Sequence, residues 1–249
     1  MSIQKSEAIL LLKKEVRETS SIVIFYTSEF GKIKGLIKGA RGPQSKFGIY
    51  LQEFAKFDIV YYQKLKAETF MVTQCDLIEP YTEISEDLDR RLKAYYVLEL
   101  VDKFTPFEDK SVDIYNLLNW ILSAIRKKRF IDRAIIYFQL KLLEYVGYLP
   151  ELKECANCSS KLIKDNYFSV RVAGLLCGNC RDVDIQAIPL SRGAISSINM
   201  LRKQSIDQLG KLNITASISK ELSRMLERFI AYHLGEHLKT HDFINKVSI

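Results

Sequence analysis

The sequence is poor in the residues that interrupt regular structure. Among 249 residues there are only 11 glycines and 5 prolines, against 47 % hydrophobic and 27 % charged residues. This composition argues against long disordered arms and is typical of a globular protein. At this length the chain can bury a sizeable core and can hold one to three domains.

The sequence also lacks segments suited to a membrane or to secretion. It has no stretch of about 18 apolar residues, the length that a membrane-spanning helix needs. Its beginning, MSIQKSEAILLLKK, has a short apolar run interrupted by charge and no small-residue cleavage site, unlike a signal peptide. We therefore expect a cytoplasmic protein, in a compartment where thiols stay reduced.

Cysteine is scarce, yet four of the five cysteines form two matched pairs. The pairs are Cys155 with Cys158 and Cys177 with Cys180, in the spacing C-x2-C-x18-C-x2-C. Each pair can form a tight turn that directs two sulfurs at one metal ion, and two such turns complete a tetrahedral thiolate shell. The spacing predicts one Zn²⁺. Because four thiolates leave no position for water, we expect this metal to be structural.

The net charge of +7 is unevenly distributed. Residues 1–80 have a net charge of +3 and residues 185–249 a net charge of +4, whereas 81–150 and 151–184 are balanced. From Phe30 to Gln52 there is no acidic residue. This segment contains the basic residues Lys32, Lys34, Lys38, Arg41 and Lys46. Such a local basic excess indicates a polyanionic partner.

The first 80 residues have the character of β-structure. Five short segments separated by turn signals are predicted as strands, at 8–12, 21–26, 31–39, 54–62 and 69–78. The first is an apolar run, and the second is rich in β-branched and aromatic residues. In the third segment, lysines alternate with aliphatic residues and place Lys32 and Lys34 on one strand face, before Gly35 disturbs the alternation. Five such strands predict a small antiparallel barrel, with an OB-fold as the leading candidate and an SH3-like barrel as the alternative.

After residue 80 the hydrophobic period becomes helical. Ser85 is a plausible N-cap, and helical patterns cover 112–125 and 130–146 before a stop at 147–150. The period resumes from Leu190 and gives the last helix a clear apolar face. We therefore predict an α+β protein with four segments. They are an OB-fold at 1–80, a first helical part at 81–150, an inserted zinc ribbon at 151–184 and a second helical part at 185–249.

No catalytic signature is present in the sequence. It contains neither of the glycine-rich phosphate loops G-x-x-x-x-G-K-[ST] and G-x-G-x-x-G, and Cys75 lies in an apolar strand where we expect it to be buried and inert. The acidic residues around Asp87 and Asp89 fit the first turn of a helix better than a nuclease site. We predict a binding protein and not an enzyme. The alternatives are a zinc-ribbon nuclease or hydrolase and a zinc-ribbon transcription factor.

The basic segment is the best candidate for a binding site. Lysines on a strand face, followed by a Gly/Pro-containing loop with Arg41 and Lys46, can follow a phosphate backbone. Nearby aromatic side chains could stack on bases, although each taken alone is better explained as a core residue. These aromatic residues are Tyr26, Phe47 and Tyr50.

Short motifs along the whole chain resemble those of one known family. They are VRETSSI at 16–22 with Thr27 and Gly31-Lys32, KGAR at 38–41 with Pro43 and Ser45-Lys46, GYLPEL at 147–152 before the first cysteine pair, Phe168-Ser169, Gly174 and Leu176-Cys177 before Cys180, and HLG at 233–235 with LKT at 238–240. In this order and spacing, the chain resembles the RecO family of bacterial recombination mediators over nearly its full length.

This resemblance implies an N-terminal OB-fold, a helical C-terminal domain and a four-cysteine zinc ribbon. It implies binding of single- and double-stranded DNA, annealing of complementary strands, and loading of RecA on DNA coated by single-strand binding protein (SSB) in the RecFOR pathway. The implied partners are DNA, RecR and the acidic, apolar C-terminal tail of SSB, with no membrane and no small-molecule substrate. The implied location is the cytoplasm, in association with the nucleoid.

We therefore predict that the basic face binds phosphates without reading base sequence. Annealing requires that the charge of two strands is neutralised while their bases remain free to pair, which phosphate contacts allow. A second basic surface, or else only solvated helix charge, is expected in the C-terminal part. Its residues are Arg192, Arg202, Lys203, Arg224 and Arg228. The binding site for the SSB tail is expected among the C-terminal helices.

Overall fold

The computed structural model describes residues 3–16, 18–40, 51–63, 69–162, 165–236 and 238–240. Backbone contacts divide the chain into two compact units. The first consists of Met1–Lys128 together with Leu238–Ile249, and the second of Arg129–His237. The predicted domain boundaries at residues 80, 150 and 184 describe changes in sequence character and stay a prediction. By contact, the helices up to residue 128 group with the N-terminal strands.

Five strands open the first unit. They are β1 (Ile3–Val16), β2 (Ser20–Thr27), β3 (Gly31–Ile37), β4 (Ala55–Gln63) and β5 (Phe70–Pro80). Their order is β1-β2-β3-β5-β4, and β4 also pairs with β1, so that the sheet closes into a barrel. The prediction of an entirely antiparallel barrel is wrong at one place, because β3 and β5 pair in parallel at Gly35↔Phe70 and Leu36↔Met71.

The barrel encloses an apolar core of alternate strand residues. On β3 the inward positions are Ile33, Gly35 and Ile37, which are all buried, so the expected loss of alternation at Gly35 does not occur. A Cβ atom at Gly35 would lie 2.7 Å from Val72 Cγ2, which explains the need for glycine. Cys75 is buried in this core as predicted, and burial raises the pKa of its thiol to about 12.

Three helices follow the strands along the described part of the first unit, namely α1 (Thr82–Ser85), α2 (Leu88–Phe104) and α3 (Val112–Arg126). The expected N-cap at Ser85 is wrong, since α2 is capped by Asp87, whose side chain accepts a hydrogen bond from the Arg90 backbone N–H at 3.0 Å. Hydrogen bonds from Lys128 and from that N–H hold the pKa of Asp87 at about 2. The acidic cluster therefore contains a helix cap, as its position in the first turn indicated.

The described part of the second unit combines three α-helices with a small sheet. Its helices are α4 (Ile131–Tyr145), α5 (Arg192–Lys203) and α6 (Ala216–Leu234), and its strands are β6 (Tyr167–Ser169), β7 (Gly174–Leu176) and β8 (Ile188–Pro189). The sheet order is β7-β6-β8, with antiparallel pairs. The α+β prediction is thus confirmed, as is the helix stop, where α4 gives way to Gly147 at a φ of +80°.

The apolar face of α6 anchors this unit. Leu222, Met225, Leu226, Phe229 and Ile230 are buried at helical spacing. The Phe229 ring contacts the Phe168 ring of β6 edge-on, with centroids 5.6 Å apart, and so joins the helix to the cysteine-bearing segment. Across the described ranges of the chain, no helix combines the length and the apolar character that a membrane span requires.

Candidate metal centre and nucleic-acid interface

The four cysteines that the sequence pairs come together in the second unit. Their Sγ atoms all lie within 4.8 Å of one another, although 18 residues separate the two pairs. The sheet brings the pairs together, because the Ala156 backbone N–H donates to the Leu175 carbonyl at 2.7 Å. Leu175 lies in β7, and this strand ends directly before Cys177, the first cysteine of the second pair. Within the described ranges, no other group of three or more His, Cys, Asp or Glu side chains brings its ligand atoms close enough together to hold a metal ion.

Local N–H groups point at the sulfurs. The Cys177 backbone N–H donates to Cys155 Sγ at 3.4 Å, and the Asn157 amide donates to Cys180 Sγ at 3.3 Å. Such donors stabilise thiolate, the form of cysteine that binds metal ions. They also fix the direction in which each sulfur points. Asn157, between the cysteines of the first pair, is a supporting residue that the cysteine spacing alone does not reveal.

The thiol pKa values reflect competition within this cluster. Burial raises the pKa of Cys155, but backbone N–H groups of Cys177, Cys158 and Asn157 outweigh it and lower the pKa to about 6. For Cys180 the Asn157 amide lowers the pKa, whereas Cys158, burial, Cys177 and Cys155 together raise it to about 12. Four sulfurs this close cannot all ionise easily unless a cation compensates their charge.

The geometry fits a tetrahedral metal ion. A Zn–S bond of about 2.3 Å requires sulfurs about 3.8 Å apart at the corners of a tetrahedron. Cys158 Sγ and Cys177 Sγ lie 3.8 Å apart. The donor set consists of four soft thiolates. Such ligands select zinc over hard ions such as magnesium, which bind oxygen ligands instead. The cluster could therefore hold a metal ion and is compatible with zinc.

Three lysines lie at the outer face of β1 to β3, namely Lys14 on β1, Lys34 on β3 and Lys38 in the turn directly after β3. Lys34 and Lys38 belong to the predicted set, and Lys14 joins them through strand pairing. Lys14 lies opposite Ile22 of β2, and Ile22 lies opposite Leu36 of β3, midway between Lys34 and Lys38. Lys14 and Lys38 are exposed and Lys34 is half-buried. None of the three forms a salt bridge with another described residue.

The sequence does not identify Lys14, because the apolar run at 8–12 predicts a first strand that ends at residue 12. The structure extends β1 to Val16, and the register with β2 continues to the pair Val16↔Ser20. The residues between Val16 and Ser20 are few enough for a short hairpin, which was the available signal for a longer strand.

Lys32 does not belong to this exposed face, which corrects the prediction for this residue. Its ammonium donates to the carbonyl and to the carboxylate of Asp102 on α2, with Nζ 3.2 Å from Oδ1. It also lies 4.5 Å from the centre of the Phe107 ring. Lys32 points outward from the strand like Lys34, but α2 and the chain that follows it cover the Lys32 side chain, which is only 7 % exposed. It is therefore unavailable to a phosphate.

Four other members of the predicted interface lie outside the described residues. They are Arg41, Lys46, Phe47 and Tyr50. Tyr26 is fully buried and therefore belongs to the core, as expected for each of these aromatic residues taken alone.

The second unit carries the basic residues that the sequence offered as a second surface. Arg192 and Lys203 on α5 and Arg224 and Arg228 on α6 are exposed, while Arg202 is half-buried. Arg192 and Lys203 also line an open cavity of about 510 Å³ between α5 and the segment around Leu152 and Leu162. The cavity thus combines apolar walls with basic side chains.

The comparisons with known proteins agree along the whole chain. The sequence model described as "Recombination protein O N terminal" matches residues 1–81, and the one described as "Recombination protein O C terminal" matches residues 85–242. Similar proteins named DNA repair protein RecO occur in Thermoanaerobacter sp. (strain X514), at 29 % identity over 99 % of both chains, and in Shouchella clausii (strain KSM-K16), at 30 % identity over 98 % of this chain and 95 % of the relative. A third, from Dehalococcoides mccartyi, is 30 % identical over 98 % of this chain and 96 % of its own.

Both family models and the relatives cover the strands, the helices and the cysteine cluster together. The chain therefore belongs to the RecO family of DNA repair proteins.

Proposed function

We propose that this protein is a non-catalytic mediator of recombinational repair. In this proposal it binds single- and double-stranded DNA, anneals complementary strands and helps to load RecA on SSB-coated DNA in the cytoplasm, at the nucleoid. The observation that carries the proposal is the face formed by Lys14, Lys34 and Lys38, which have no acidic partner among the described residues. Unpaired cations on one surface attract a phosphate backbone.

The topology of the barrel supports this use. The strand order β1-β2-β3-β5-β4, closed by β4 on β1 with one parallel pair, fits the Greek-key barrel of an OB-fold. In OB-folds the face of the second and third strands binds oligonucleotides. Lys34 lies on that face, and Lys14 and Lys38 flank it.

The chemistry of the face suits annealing. Lysine ammonium groups on flexible stems contact phosphates as point charges and leave the base edges free. Between the lysines lie the half-buried aliphatic side chains of Ile22, Ile24 and Leu36, which offer no hydrogen-bond donor or acceptor to a base. Binding should therefore be independent of sequence and sensitive to salt.

A triple substitution tests the DNA-binding face. We expect Lys14→Gln, Lys34→Gln and Lys38→Gln together to weaken binding to oligonucleotides of any sequence. Since each phosphate contact on a single strand contributes about 0.7 to the slope of log K against log salt, the slope should decrease by about 2. The measurement is fluorescence anisotropy over a salt titration.

A matched control removes the same charge from elsewhere in the first unit. Lys103→Gln, Lys110→Gln and Lys127→Gln change three exposed lysines that lie outside the face, and this variant should keep the wild-type slope. Equal slopes for the two triple variants would show that only net charge matters and would contradict the proposed face. Annealing of SSB-coated DNA, with and without RecR, then tests the mediator activity.

We propose that the cysteine cluster binds one structural Zn²⁺. When bound, the ion supplies a cross-link between the turn at Cys155 and Cys158 and the turn at Cys177 and Cys180, with no open position for chemistry. The chain itself orients the sulfurs through the Cys177 N–H and the Asn157 amide. The support for zinc is the four-thiolate donor set and the 3.8 Å sulfur separation.

We further propose that the cavity on α5 binds the acidic, apolar tail of SSB. Ile195 and Met200 provide apolar walls, and Arg192 and Lys203 can pair with carboxylates. The side-chain oxygen of Asn166, also in this cavity, is buried without a hydrogen-bond partner among the described residues, and a peptide N–H would supply one. Arg192→Gln with Lys203→Gln should abolish binding of a tail peptide, whereas Lys161→Gln with Lys211→Gln should not; equal binding would refute the site.

A further inference from the structure

The exposed side of α6 carries a regular row of basic side chains. Lys220, Arg224 and Arg228 follow one another at intervals of four residues, and Tyr232 continues the same row. All four side chains are exposed. Since an α-helix rises 1.5 Å per residue, neighbouring members lie about 6 Å apart along the axis and the whole row spans about 18 Å. We refer to these four residues as the α6 row.

The charges of the α6 row are not neutralised within the described part of the second unit. No salt bridge joins Lys220, Arg224 or Arg228 to a described acidic residue. The two acidic residues of α6 are occupied elsewhere. Glu221 accepts hydrogen bonds from the backbone N–H and the hydroxyl of Ser191, at 2.5 and 2.7 Å, and Glu227 also has a partner.

The helix that carries the α6 row is held in place by packing and by its caps. The opposite side of α6 is buried, with Met225 and Phe229 fully inaccessible. Thr215 caps the first turn, where its hydroxyl accepts from the Ile218 N–H, and Gly235 ends the helix in the left-handed conformation. A helix fixed at both ends and along one side holds its cations at a constant spacing, which lowers the entropy lost when they bind a repeating ligand.

Tyr232 adds a surface for stacking at the end of the row. Its side chain is 53 % exposed, and its ring is held edge-on against His233 at a centroid distance of 5.6 Å. It lines an open cavity of about 500 Å³ together with Arg171 and Ile185, whose side chain is 87 % exposed. An exposed aromatic beside a row of cations is the arrangement on which single-stranded nucleic acids stack their bases.

We propose that the α6 row binds the phosphate backbone of a second nucleic acid strand, with a base stacked on Tyr232. The inference rests on the proposed function, because a protein that anneals must hold two strands at the same time. An acidic peptide is the other polyanion to consider. The row favours a nucleic acid, since three evenly spaced cations match a repeating charge, whereas no large apolar side chain lies between them to hold a peptide.

The test is a two-strand binding experiment with the full chain. Two oligothymidylates with different dyes cannot pair with each other, so energy transfer between them reports two strands on the protein. We expect Arg224→Gln with Arg228→Gln to keep the affinity for the first strand and to reach energy transfer only at higher concentrations of the second strand. Because two phosphate contacts are removed, the salt slope for the second strand should decrease by about 1.4.

A matched control and a stacking variant sharpen the result. Lys161→Gln with Lys211→Gln removes two exposed charges from the same unit, away from the row, and should leave the energy transfer unchanged. Tyr232→Leu keeps every charge, and we expect second-strand binding about fivefold weaker or more, with an unchanged salt slope. The melting temperature of each variant, compared with that of the control, shows that the fold is retained.

Three outcomes would overturn the inference. If Arg224→Gln with Arg228→Gln retains wild-type energy transfer, the α6 row does not hold a strand, while the proposed function stands. If the variant instead loses binding of an acidic peptide and retains the second strand, the row belongs to a protein partner. If the wild-type chain binds no DNA at all, the proposed function fails together with the inference.

Discussion

Replacing Lys32 by methionine distinguishes a structural lysine from the lysines of the proposed DNA-binding face. The substitution keeps the apolar stem of the side chain and removes only the ammonium group. That group donates to the Asp102 carboxylate, with Nζ 3.2 Å from Oδ1, and to the Asp102 carbonyl, and it contacts the Phe107 ring. Lys32→Met therefore leaves Asp102 with an unpaired negative charge.

The size of the effect follows from the exposure of the two partners. Removing one member of a fully buried ion pair costs about 3–5 kcal/mol. Here the Lys32 side chain is 7 % exposed but that of Asp102 is 27 % exposed, so water can partly solvate the remaining carboxylate. We expect a loss of about 2 kcal/mol, within the range for a hydrogen bond to a charged group. For a chain of this length, the melting temperature should fall by about 4–8 °C.

The assay combines thermal unfolding with DNA affinity measured well below the transition. We expect Lys32→Met to lower the melting temperature and to leave the affinity unchanged. Lys38→Met, at an exposed position, should leave the melting temperature unchanged and lower the DNA affinity. The double variant Lys32→Met with Asp102→Leu should recover part of the stability, because no unpaired charge remains. An unchanged melting temperature together with weakened DNA binding would refute the reasoning and return Lys32 to the interface.

Three further changes have defined outcomes. Cys177→Ser should abolish metal binding and lower the melting temperature, because a structural metal site contributes folding energy directly, while Cys75→Ala keeps the metal; full metal content in Cys177→Ser would contradict the site. Asn157→Ala removes the donor to Cys180 and should weaken metal affinity by about tenfold in competition with a chelator. Glu99→Gln should cost about 1–2 kcal/mol and reduce amide protection at Thr240, whose backbone N–H and hydroxyl both donate to the Glu99 carboxylate.

Local sequence signals predicted the types of the elements and most of their positions. Alternation over 31–37 indicated a strand, and Ile33 and Ile37 are buried on its inner side. The helical period near the C-terminus indicated an apolar face, which α6 buries through Leu222 and Phe229. These signals are readable because a side chain's direction relative to its own strand or helix depends on near neighbours alone.

Helix caps show where a local signal becomes ambiguous. Ser85 and Asp87 both precede the apolar pattern of α2, and both residue types are good N-caps. The structure places Asp87 in the cap, where Lys128 also forms a 2.9 Å ion pair with it. Lys128 lies 41 positions further along the chain, so that its contribution cannot be read from the residues around the cap.

The four-cysteine cluster, the basic character of the segment after Phe30 and the α+β composition could be predicted without coordinates, because spacing, charge and hydrophobic period are properties of the chain. The tertiary fold alone sets which lysines of the proposed face are accessible. It buried Lys32 against α2, left Lys34 and Lys38 accessible, and added Lys14 through the register of β1 with β2. Accessibility depends on which distant segments pack over a side chain, and that is settled when the barrel closes and its helices cover it.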